Sequence, residues 1–546
     1  MHSSNRVTYT ERAIAHSLTS EALMSNGSKN NTFDAGRVGR LATLIALGGF
    51  LFGFDASVIS GVVGYISTDF SLTDLEIGLV VGAPTIGGLI GGVLSGFIAD
   101  AIGRKRVLLG LGVLYLVSAV ISALAPSYQT LVFARAIGGL AFASLSIAPM
   151  YIAEIAPEKR RGFYVSFNQF AIVLGFSAAY FANYALVSAS QLESHWIQAL
   201  AIDTLTWRWM LGLEIVPALV WLVALTQVPE TPRWLALNNR EDEAQQLLAT
   251  LQEAAVAEVT FEAIKRSGDE TTGQFQKLTE LVSPSLRVPF FIAISVGIVQ
   301  QITGINAVFF YAPTIFEQSG VGTNAAFAQA TVVGLTNVLF TVVAMVLIDR
   351  LGRKPLLIAG LAGIIVSMSL VSYGFGQATY TLTETSVSAL EIDAKSKDNL
   401  MALSGTVFQS DVAFKGAVAA QIDPQVARNH ESAIIASAIS VNAVLVLAGI
   451  LGFVASFAIS LGPVMWVLFS EVFPNRIRGI AIGVATIFNS GASFLVQFLF
   501  PWQLNTFGTS TTFALFAVVG LLGMGLIWRL PETKGETLER LETKLA

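Results

Sequence analysis

A lone aspartate and a lone arginine stand inside apolar stretches of this sequence. Asp55 is the only charge between residues 41 and 66, and Arg135 lies in a second apolar stretch. An ionised side chain near the middle of a membrane helix costs about 2.5–3.5 kcal/mol on insertion scales, so such residues usually serve a function. A carboxylate that meets a guanidinium in one conformation and loses it in another can bind and release a proton. The alternative is a permanent ion pair that orients two helices.

A second polar set lies in the motif QQITGIN at 300–306. Asn306 is six positions from Gln300 and five from Gln301, so a continuous helix would spread the three amides around its circumference. Gly304 allows the helix to unwind, which would bring them to one wall. Uncharged amides suit a polyhydroxylated ligand because they donate and accept hydrogen bonds without a counter-ion. Alternatively, they hold helices together.

The composition places these residues in an integral membrane protein. Of 546 residues, 53% are hydrophobic and 13% are charged, whereas soluble proteins carry about 25% charged residues. The net charge of −5 gives no reason to expect a nucleic-acid partner. The sequence has no cysteine, and its four histidines lack metal-ligand spacing, so we expect no metal and no cofactor. It has no nucleophile–base pair or phosphate loop, so we do not expect an enzyme.

Apolar windows of about 20 residues predict an all-α membrane protein with twelve transmembrane helices in two six-helix halves. The windows lie near 41–66, 77–99, 107–125, 130–153, 165–188, 209–228, 288–312, 326–348, 356–376, 436–469, 478–500 and 511–530. The predicted organisation is a disordered tail (1–39), a first bundle (40–230), a helical linker (231–287), a second bundle (288–535) that includes a long loop without assigned structure (377–435), and a tail (536–546).

Short basic loops all fall on one side of the predicted bundle, which makes that side cytoplasmic by the positive-inside rule. Loops on the other side contain little beyond Arg208. Both termini and the linker are then cytoplasmic, and the 377–435 loop is extracellular. We therefore predict a multi-pass protein of the plasma or inner membrane. The basic loops lie at 104–106, 159–161, 350–354 and 476–478.

The two halves repeat each other's loop motifs. The matching pairs are GFIADAIGRKR (96–106) with MVLIDRLGRKP (345–355), YIAEIAPEKRRG (151–162) with LFSEVFPNRIRG (468–479), and PETPR (229–233) with PETKG (531–535). Many secondary transporters are built from such repeats, with the substrate site near the membrane midplane where the halves meet.

The charged residues of these repeated loops are candidates for a cytoplasmic gate. We expect Arg160 or Arg161 and Arg478 to reach acids such as Glu154 and Glu471 at neighbouring helix ends. Such pairs would latch the two halves together on the cytoplasmic face and release when the halves move. The alternative is positive-inside decoration combined with helix capping. The candidate gate residues are Asp100, Arg104, Glu154, Arg160, Arg161, Asp349, Arg353, Glu471 and Arg478.

Taken together, the motifs resemble those of the sugar porter family of the major facilitator superfamily. The GRK loops mark only the superfamily, whereas PETPR, QQxxGIN and PETKG together are more specific. The resemblance covers about residues 40–375 and 436–540 and implies the major facilitator fold. Its other motifs are RAIGGLAFASLSIAPMYIAEIAPEKRRG (135–162) and GPVMWVLFSEVFPNRIRG (462–479).

The resemblance implies a sugar site and a proton site. Asp55 matches the proton site of bacterial sugar symporters, where facilitative relatives tend to carry Asn. Three positions depart from the related carriers: Phe176 replaces a frequent Gln, Phe310 a common Tyr and Ser490 a common Trp. The implied sugar contacts are Gln169, Gln300, Gln301, Asn306, Asn337, Trp466 and Asn489, with Phe54 beside them.

The expected function is proton-coupled uptake of a monosaccharide, a hexose or pentose, by alternating access in a monomer. A facilitative uniporter, a myo-inositol or polyol symporter, and a uronate-sugar symporter remain alternatives. A long loop between the ninth and tenth helices, as in some inositol-carrying relatives, keeps the polyol open. A non-transporting sugar sensor or a drug efflux antiporter is less compatible with the short C-terminal tail and the amide-rich pocket.

Overall fold

The computed structural model describes residues 33–268, 283, 286–473, 477–529 and 532. The predicted C-terminal tail and most of the predicted N-terminal tail lie outside these residues. Residues 269–282 of the predicted linker also lie outside them.

Twelve helices in the described residues are long and apolar enough to cross a membrane, as the sequence predicts. We number them spans 1 to 12. They are Ala35–Asp69, Asp74–Ile102, Arg104–Ala123, Tyr128–Ile155, Arg161–Ser190, Thr206–Thr226, Arg287–Phe310, Thr323–Ile348, Arg353–Gly376, Ala443–Phe469, Arg478–Phe507 and Thr509–Trp528.

The starts of spans 1 and 10 differ from prediction by six and seven residues because polar residues cap the helices. Span 1 begins at Ala35, inside the predicted tail, because Asp34 accepts a hydrogen bond from the backbone N–H of Arg37 at 2.9 Å. Span 10 begins at Ala443, seven residues later than predicted from 436, where Asn442 caps it in the same way.

Four spans are interrupted, which the apolar windows do not reveal. The segments are Tyr128–Ala141 and Ser144–Ile155 in span 4, Thr206–Gly212 and Ile215–Thr226 in span 6, Arg287–Ile302 and Ile305–Phe310 in span 7, and Ala443–Ile459 and Leu461–Val472 in span 10. Shorter helices outside the spans are Glu158–Arg160 (3-10), His195–Ala199, Pro232–Leu237, Glu241–Leu251, Ala254–Gly268 and Ala312–Glu317.

Spans 1 to 6 and spans 7 to 12 form two halves. Within the first half, spans 1 and 5 approach closely at paired glycines. A Cβ atom on Gly53 would lie 2.9 Å from the backbone nitrogen of Phe176, and one on Gly175 would lie 2.9 Å from that of Phe54. Between the halves, span 2 packs against span 11 and span 5 against span 8. These two pairs form the seams of the molecule.

The bundle has two distinct faces. The face that carries the repeated loops at 103–106 and 352–354 is called the basic face. The linker helices pack on it: the stripe Ala244, Leu247, Leu248 and Leu251 is buried against the first half. The opposite face is called the loop-domain face.

Residues 378–442 form a small folded unit called the loop domain, which includes most of the segment 377–435 that the sequence left without assigned structure. Its sheet has the order β2-β1-β3, and both neighbouring pairs are antiparallel. Its core includes Tyr380 stacked on Phe414, with ring centroids 5.5 Å apart. Its elements are β1 (Thr379–Thr381), β2 (Val407–Phe408), β3 (Ile439–Ser440), and helices Glu384–Ala389, Ala394–Met401, Asp411–Gln421, Pro424–Asn429 and Glu431–Ala438.

Candidate functional site

Asp55 and Arg135 form a buried ion pair between spans 1 and 4. Nη1 of Arg135 donates to Oδ1 of Asp55, and Nη2 lies 3.3 Å from its backbone oxygen. The two side chains are 1% and 2% exposed. Among the described residues, neither Oδ2 of Asp55 nor Nε of Arg135 has a hydrogen-bond partner. The pair therefore leaves Nε of Arg135 without a partner in the described part of the chain, whereas the carboxyl of Asp55 has a second buried acid, Glu214, within hydrogen-bonding range.

Glu214 is a second buried acid at this site, and the sequence analysis missed it. It lies at the interruption of span 6, is 2% exposed, and interacts electrostatically with both Asp55 and Arg135. It stands alone in the apolar run MLGLEIVPALVW (210–221). The criterion that identified Asp55, a single acid in a membrane span, would also have found it.

The three amides of the QQITGIN motif converge where span 7 breaks. Gly304 has φ +93°, a left-handed conformation that favours glycine. It interrupts span 7, so that one helix ends at Ile302 and the next begins at Ile305. Asn306 donates to Oε1 of Gln301 at 2.8 Å, and Gln301 donates to Oε1 of Gln300 at 3.0 Å. The break therefore turns residues five and six positions apart into one hydrogen-bonded set.

Asn489 of span 11 completes this set, which we call the amide cluster. Its Nδ2 lies 2.8 Å from Oε1 of Gln300 and 2.8 Å from the backbone oxygen of Gly297. Its Oδ1 accepts from Gln301 at 3.3 Å. Gln300 also donates to the backbone oxygen of Leu461 at 2.9 Å, beside the break in span 10. Three spans thus hold the cluster.

The polar chain continues along span 11 beyond the residues identified from sequence. Ser493 accepts from Asn306 at 2.6 Å and from Gln497 at 2.7 Å. Thr85 of span 2 donates to Gln497 at 3.1 Å, so the chain crosses the seam between the halves. The signal available in sequence was the spacing of Asn489, Ser493 and Gln497 at four-residue intervals, which places them on one helix face.

The other predicted sugar contacts lie on neighbouring helices. Trp466 of span 10 is 44% exposed, and its ring meets Phe469 edge-on at 5.8 Å. Asn337 is buried in span 8 and Gln169 is half-buried in span 5, the two helices of the second seam. Each amide therefore lies on a helix that packs across the halves.

Phe54, which was expected beside the sugar contacts, faces an apolar depression. Its ring stacks on Phe50 and lines an apolar depression with Leu213 and Val216, away from the amide cluster. Phe52, two residues earlier, points toward the seam instead and meets the ring of Phe176 at 6.4 Å. The side-chain direction rotates by about 100° per residue in a helix, so residues 52 and 54 face different neighbours.

Phe176 and Phe310, two of the departures noted in the sequence, are in contact. Their rings are nearly parallel, with 6° between the planes and 6.5 Å between centroids, and Phe309 lies 5.2 Å from Phe176. They connect span 5 to span 7 across the halves. Span 7 therefore carries three residues of the amide cluster and also one side of an aromatic contact with the other half.

The repeated loops on the basic face adopt the same arrangement in each half. Arg104 pairs with Asp100 at 2.9 Å and Glu154 at 3.3 Å, and Arg353 pairs with Glu471 at 2.8 Å. Glu230 and Glu532 accept hydrogen bonds from the backbone N–H groups that begin spans 3 and 9. Each of these ion pairs joins residues of one half, because each arginine lies beside an acid of its own bundle, so these pairs do not latch the halves together as predicted.

The remaining gate residues are placed differently from prediction. Arg160 lies over the ring of Phe33 at 5.6 Å, and Arg161 is exposed. The acid that they were expected to reach, Glu154, is instead held by Arg104 because that guanidinium is buried beside it. Arg478 donates to the backbone oxygen of Phe473 at 3.2 Å. The side chain of Asp349 lies outside the described part of the chain.

Hydrogen bonds join the two halves on the loop-domain face. Hydrogen bonds near the loop domain cross the halves from Asn505 to Asp74 at 2.8 Å and from Asn324 to Gln191 at 2.6 Å. Toward the basic face, a Cβ atom built on Gly96 of span 2 or Gly483 of span 11 would meet nothing within 4 Å. The described hydrogen bonds at the span ends therefore join the halves on the loop-domain face, whereas these two glycines have open space beside them toward the basic face.

Two repeated six-helix halves and a central polar site define a secondary transporter of the major facilitator type. The model of the family described as sugar (and other) transporter matches residues 41–410 and 429–545. The chain belongs to this family, and it is a transporter rather than an enzyme.

Characterised relatives match along nearly their whole length. The arabinose-proton symporter of Bacillus subtilis is 34% identical over 498 residues, which cover 91% of this chain and 92% of the relative. The D-xylose-proton symporter of Escherichia coli is 31% identical over 550 residues, with 94% and 96% covered. An inward-open structure of the Escherichia coli xylose transporter superposes with a TM-score of 0.69 at 29% identity, covering 93% of this chain and 99% of that one.

Proposed function

We propose that this protein takes up a monosaccharide together with a proton by alternating access. The observation that carries the proposal is the buried Asp55–Arg135 pair with a second buried acid, Glu214, beside it. Relatives that match along almost the whole chain are arabinose- and xylose-proton symporters. A pentose or hexose is the substrate class that this similarity favours.

The amide cluster is the proposed sugar site. Its donors and acceptors bond mainly to one another here, so a sugar hydroxyl can replace an amide partner without leaving a buried polar group unpaired. Phe176 and Phe310 form an aromatic contact between span 5 and span 7, the span that carries three residues of the cluster. Sugar rings present hydroxyl groups at their edge and C–H groups on their faces, which suits one polar and one aromatic wall.

Asp55 is the proposed proton carrier. Proton uptake removes the negative charge that holds Arg135, which frees spans 1 and 4 to move relative to each other. A ligand shifts a conformational equilibrium only through different affinities for the two states. The proton and the sugar are coupled when both bind better to the same access state.

The basic face is proposed to be cytoplasmic, because its loops carry the Lys and Arg residues that the positive-inside rule assigns to that side. Both chain termini are then cytoplasmic, and the loop domain is extracellular. Because one chain supplies both the proton pair and the amide cluster, we propose that the monomer transports.

A facilitative uniporter is the second candidate. An Asp55–Arg135 contact that persists in every conformation would favour it. A uronate symporter would need a cation at the sugar site, whereas Arg135 is already bound to Asp55. A polyol such as myo-inositol is compatible with the amides and is tested together with the sugars.

The test is uptake into proteoliposomes under an inward proton gradient. Labelled arabinose, xylose, glucose, galactose and myo-inositol are supplied to the wild type, Asp55→Asn and the control Asp398→Asn, which alters an exposed loop-domain acid. We expect accumulation of one substrate in the wild type and control, and only downhill exchange in Asp55→Asn. Equal, downhill-only flux in all three proteins would establish a uniporter.

A further inference from the structure

A cavity of about 340 Å³ opens on the basic face, outside the transport site. It lies where the start of span 3 and the end of span 6 meet the linker helix Pro232–Leu237. Three of its six lining residues are cationic. The lining residues are Lys105, Arg106, Leu109, Glu230, Trp234 and Arg240.

The positive charge in this cavity comes from side chains. The carboxylate of Glu230 is already engaged, because it accepts from the backbone N–H of Arg104 at 2.9 Å and of Lys105 at 3.1 Å. The guanidinium of Arg240 forms an ion pair with Glu243, with 2.6 Å between Nη2 and Oε2. Lys105 makes a long contact of 3.4 Å with the backbone oxygen of Thr226, and Arg106 is exposed. These two cations are available to an anion.

Arg106 also heads a lipid-facing stripe. Leu109, Val113, Val117 and Val120 follow it at intervals of three or four residues, which places them on the same helix face. The three valines are 48%, 38% and 36% exposed although they lie in a membrane span. An exposed apolar face in a membrane span contacts acyl chains, so the cavity lies at the headgroup end of a lipid groove.

The second half does not repeat this cation. Glu532 accepts from the backbone N–H groups of Arg353 and Lys354 at 3.0 Å, as Glu230 does in the first half. However, Pro355 stands where the repeat has Arg106. Both halves thus cap the helix start with a glutamate, whereas only the first half has the additional cation, Arg106, beside the cavity.

We propose that this cavity binds the phosphate headgroup of an anionic phospholipid, with an acyl chain along the valine stripe of span 3. Basic pockets between membrane helices bind such headgroups because both charges lie at the membrane surface. Each basic residue near the surface strengthens the attraction about fivefold. The site is independent of the sugar and of the proton.

The experiment measures lipid retention by native mass spectrometry on the full-length protein in detergent, titrated with phosphatidylglycerol. The test variant is Lys105→Gln/Arg106→Gln. The matched control is Arg37→Gln/Lys354→Gln, which removes two other cations near the same face. We expect the test variant to lose about 25-fold in affinity and the control to stay within about twofold of the wild type.

Two further arms identify the ligand. Phosphatidylcholine supplies the same phosphate and acyl chains without net charge, and inorganic phosphate supplies the anion without acyl chains. We expect both to bind the wild type more weakly than phosphatidylglycerol. Equal binding of phosphatidylcholine, binding of inorganic phosphate as tight as that of the lipid, or equal losses in the two double variants would each overturn the proposal.

Discussion

Thr85 of span 2 donates a hydrogen bond to the side-chain oxygen of Gln497 in span 11, with 3.1 Å between the atoms. Gln497 is 1% exposed and bonds to Ser493, which also accepts from Asn306 of the amide cluster. The bond therefore links the proposed sugar site in the second half to span 2 of the first half, across the seam between spans 2 and 11.

We expect Thr85→Val to shift the protein toward the conformation that is open on the loop-domain face. The substitution keeps the shape of the side chain and removes a bond that crosses the halves. A hydrogen bond contributes about 0.5–1.5 kcal/mol, which is a factor of about 2 to 10 in the equilibrium. The chain has no native cysteine, so spin labels can be attached at Glu193→Cys and Thr511→Cys. Double electron–electron resonance between the two labels then measures the separation of the halves.

The matched control is Thr486→Val. Thr486 is also a half-buried threonine, but its hydroxyl donates to the Ile482 oxygen of its own helix at 2.8 Å. We expect the distance distribution of this variant to match that of the wild type. A shift of equal size in both variants would mean that valine itself, rather than the bond between Thr85 and Gln497, changes the equilibrium.

The close contact of spans 1 and 5 predicts a strong effect of one methyl group. A Cβ atom on Gly53 would overlap the backbone of span 5 near Ile172 and Phe176. We expect Gly53→Ala to destabilise the first half by about 1–3 kcal/mol, the usual cost of overpacking. Thermal unfolding in detergent measures this. Gly64→Ala on the same helix is the control, since its Cβ would meet nothing within 4 Å, and an equal loss there would contradict the packing argument.

The membrane fold could be predicted because each span is marked by one local property, a run of about 20 apolar residues. The loop domain could not, because its strands are two or three residues long and its core joins residues as distant as Tyr380, Phe414 and Ile434. No periodic pattern of useful length exists in such a segment. Its structure depends on contacts that are distant in sequence.

The candidate site was predictable where a residue type was unusual for its surroundings. Asp55 and the amides at 300–306 stood out in apolar stretches, and Glu214 met the same criterion but was overlooked. Whether Phe52 or Phe54 points toward the seam depends on which face of span 1 meets span 5. Aromatic residues stand at 50, 52 and 54, so the sequence does not show which of them lies on that face. The breaks in spans 6 and 10 likewise depend on tertiary packing.

Asp411 attaches the loop domain to the membrane bundle. Its Oδ2 accepts from the backbone N–H of Thr509 at 2.7 Å and from the hydroxyl of Thr509 at 2.8 Å, at the start of span 12. A carboxylate is favourable at a helix N-terminus, and bonds to a charged group contribute about 1.5–3 kcal/mol. We expect Asp411→Ala to accelerate amide exchange in Asp411–Gln421 about 10- to 100-fold.

Hydrogen exchange with mass spectrometry makes this measurement on the full chain. Asp398→Asn, at an exposed position of the loop domain, provides the control. Unchanged protection of Asp411–Gln421 in Asp411→Ala would show that other contacts hold the domain. One such contact is the hydrogen bond from Lys415 to Asn505 at 2.8 Å.

Glu317, just beyond span 7, is expected to make the docking of the loop domain sensitive to pH. Its Oε2 accepts from the hydroxyl of Ser432 at 3.2 Å. Burial raises the pKa of Glu317 above its ordinary value of 4.5, and the hydrogen bonds from Ser432 and Thr323 offset this only in part. The packed state therefore favours the protonated carboxyl, so this contribution to docking is fully present below pH 4.5 and is lost as the pH rises through the raised pKa.

We expect protection of Ala312–Glu317 and Glu431–Ala438 from amide exchange, corrected for the intrinsic rate, to fall as the pH rises through this window. Glu317→Gln is neutral at every pH, so it should keep the protection seen in the wild type at low pH. Glu384→Gln, at an exposed loop-domain position, should follow the wild type. Protection that increases with pH, or a Glu317→Gln variant with the slope of the wild type, would show that another group controls the docking.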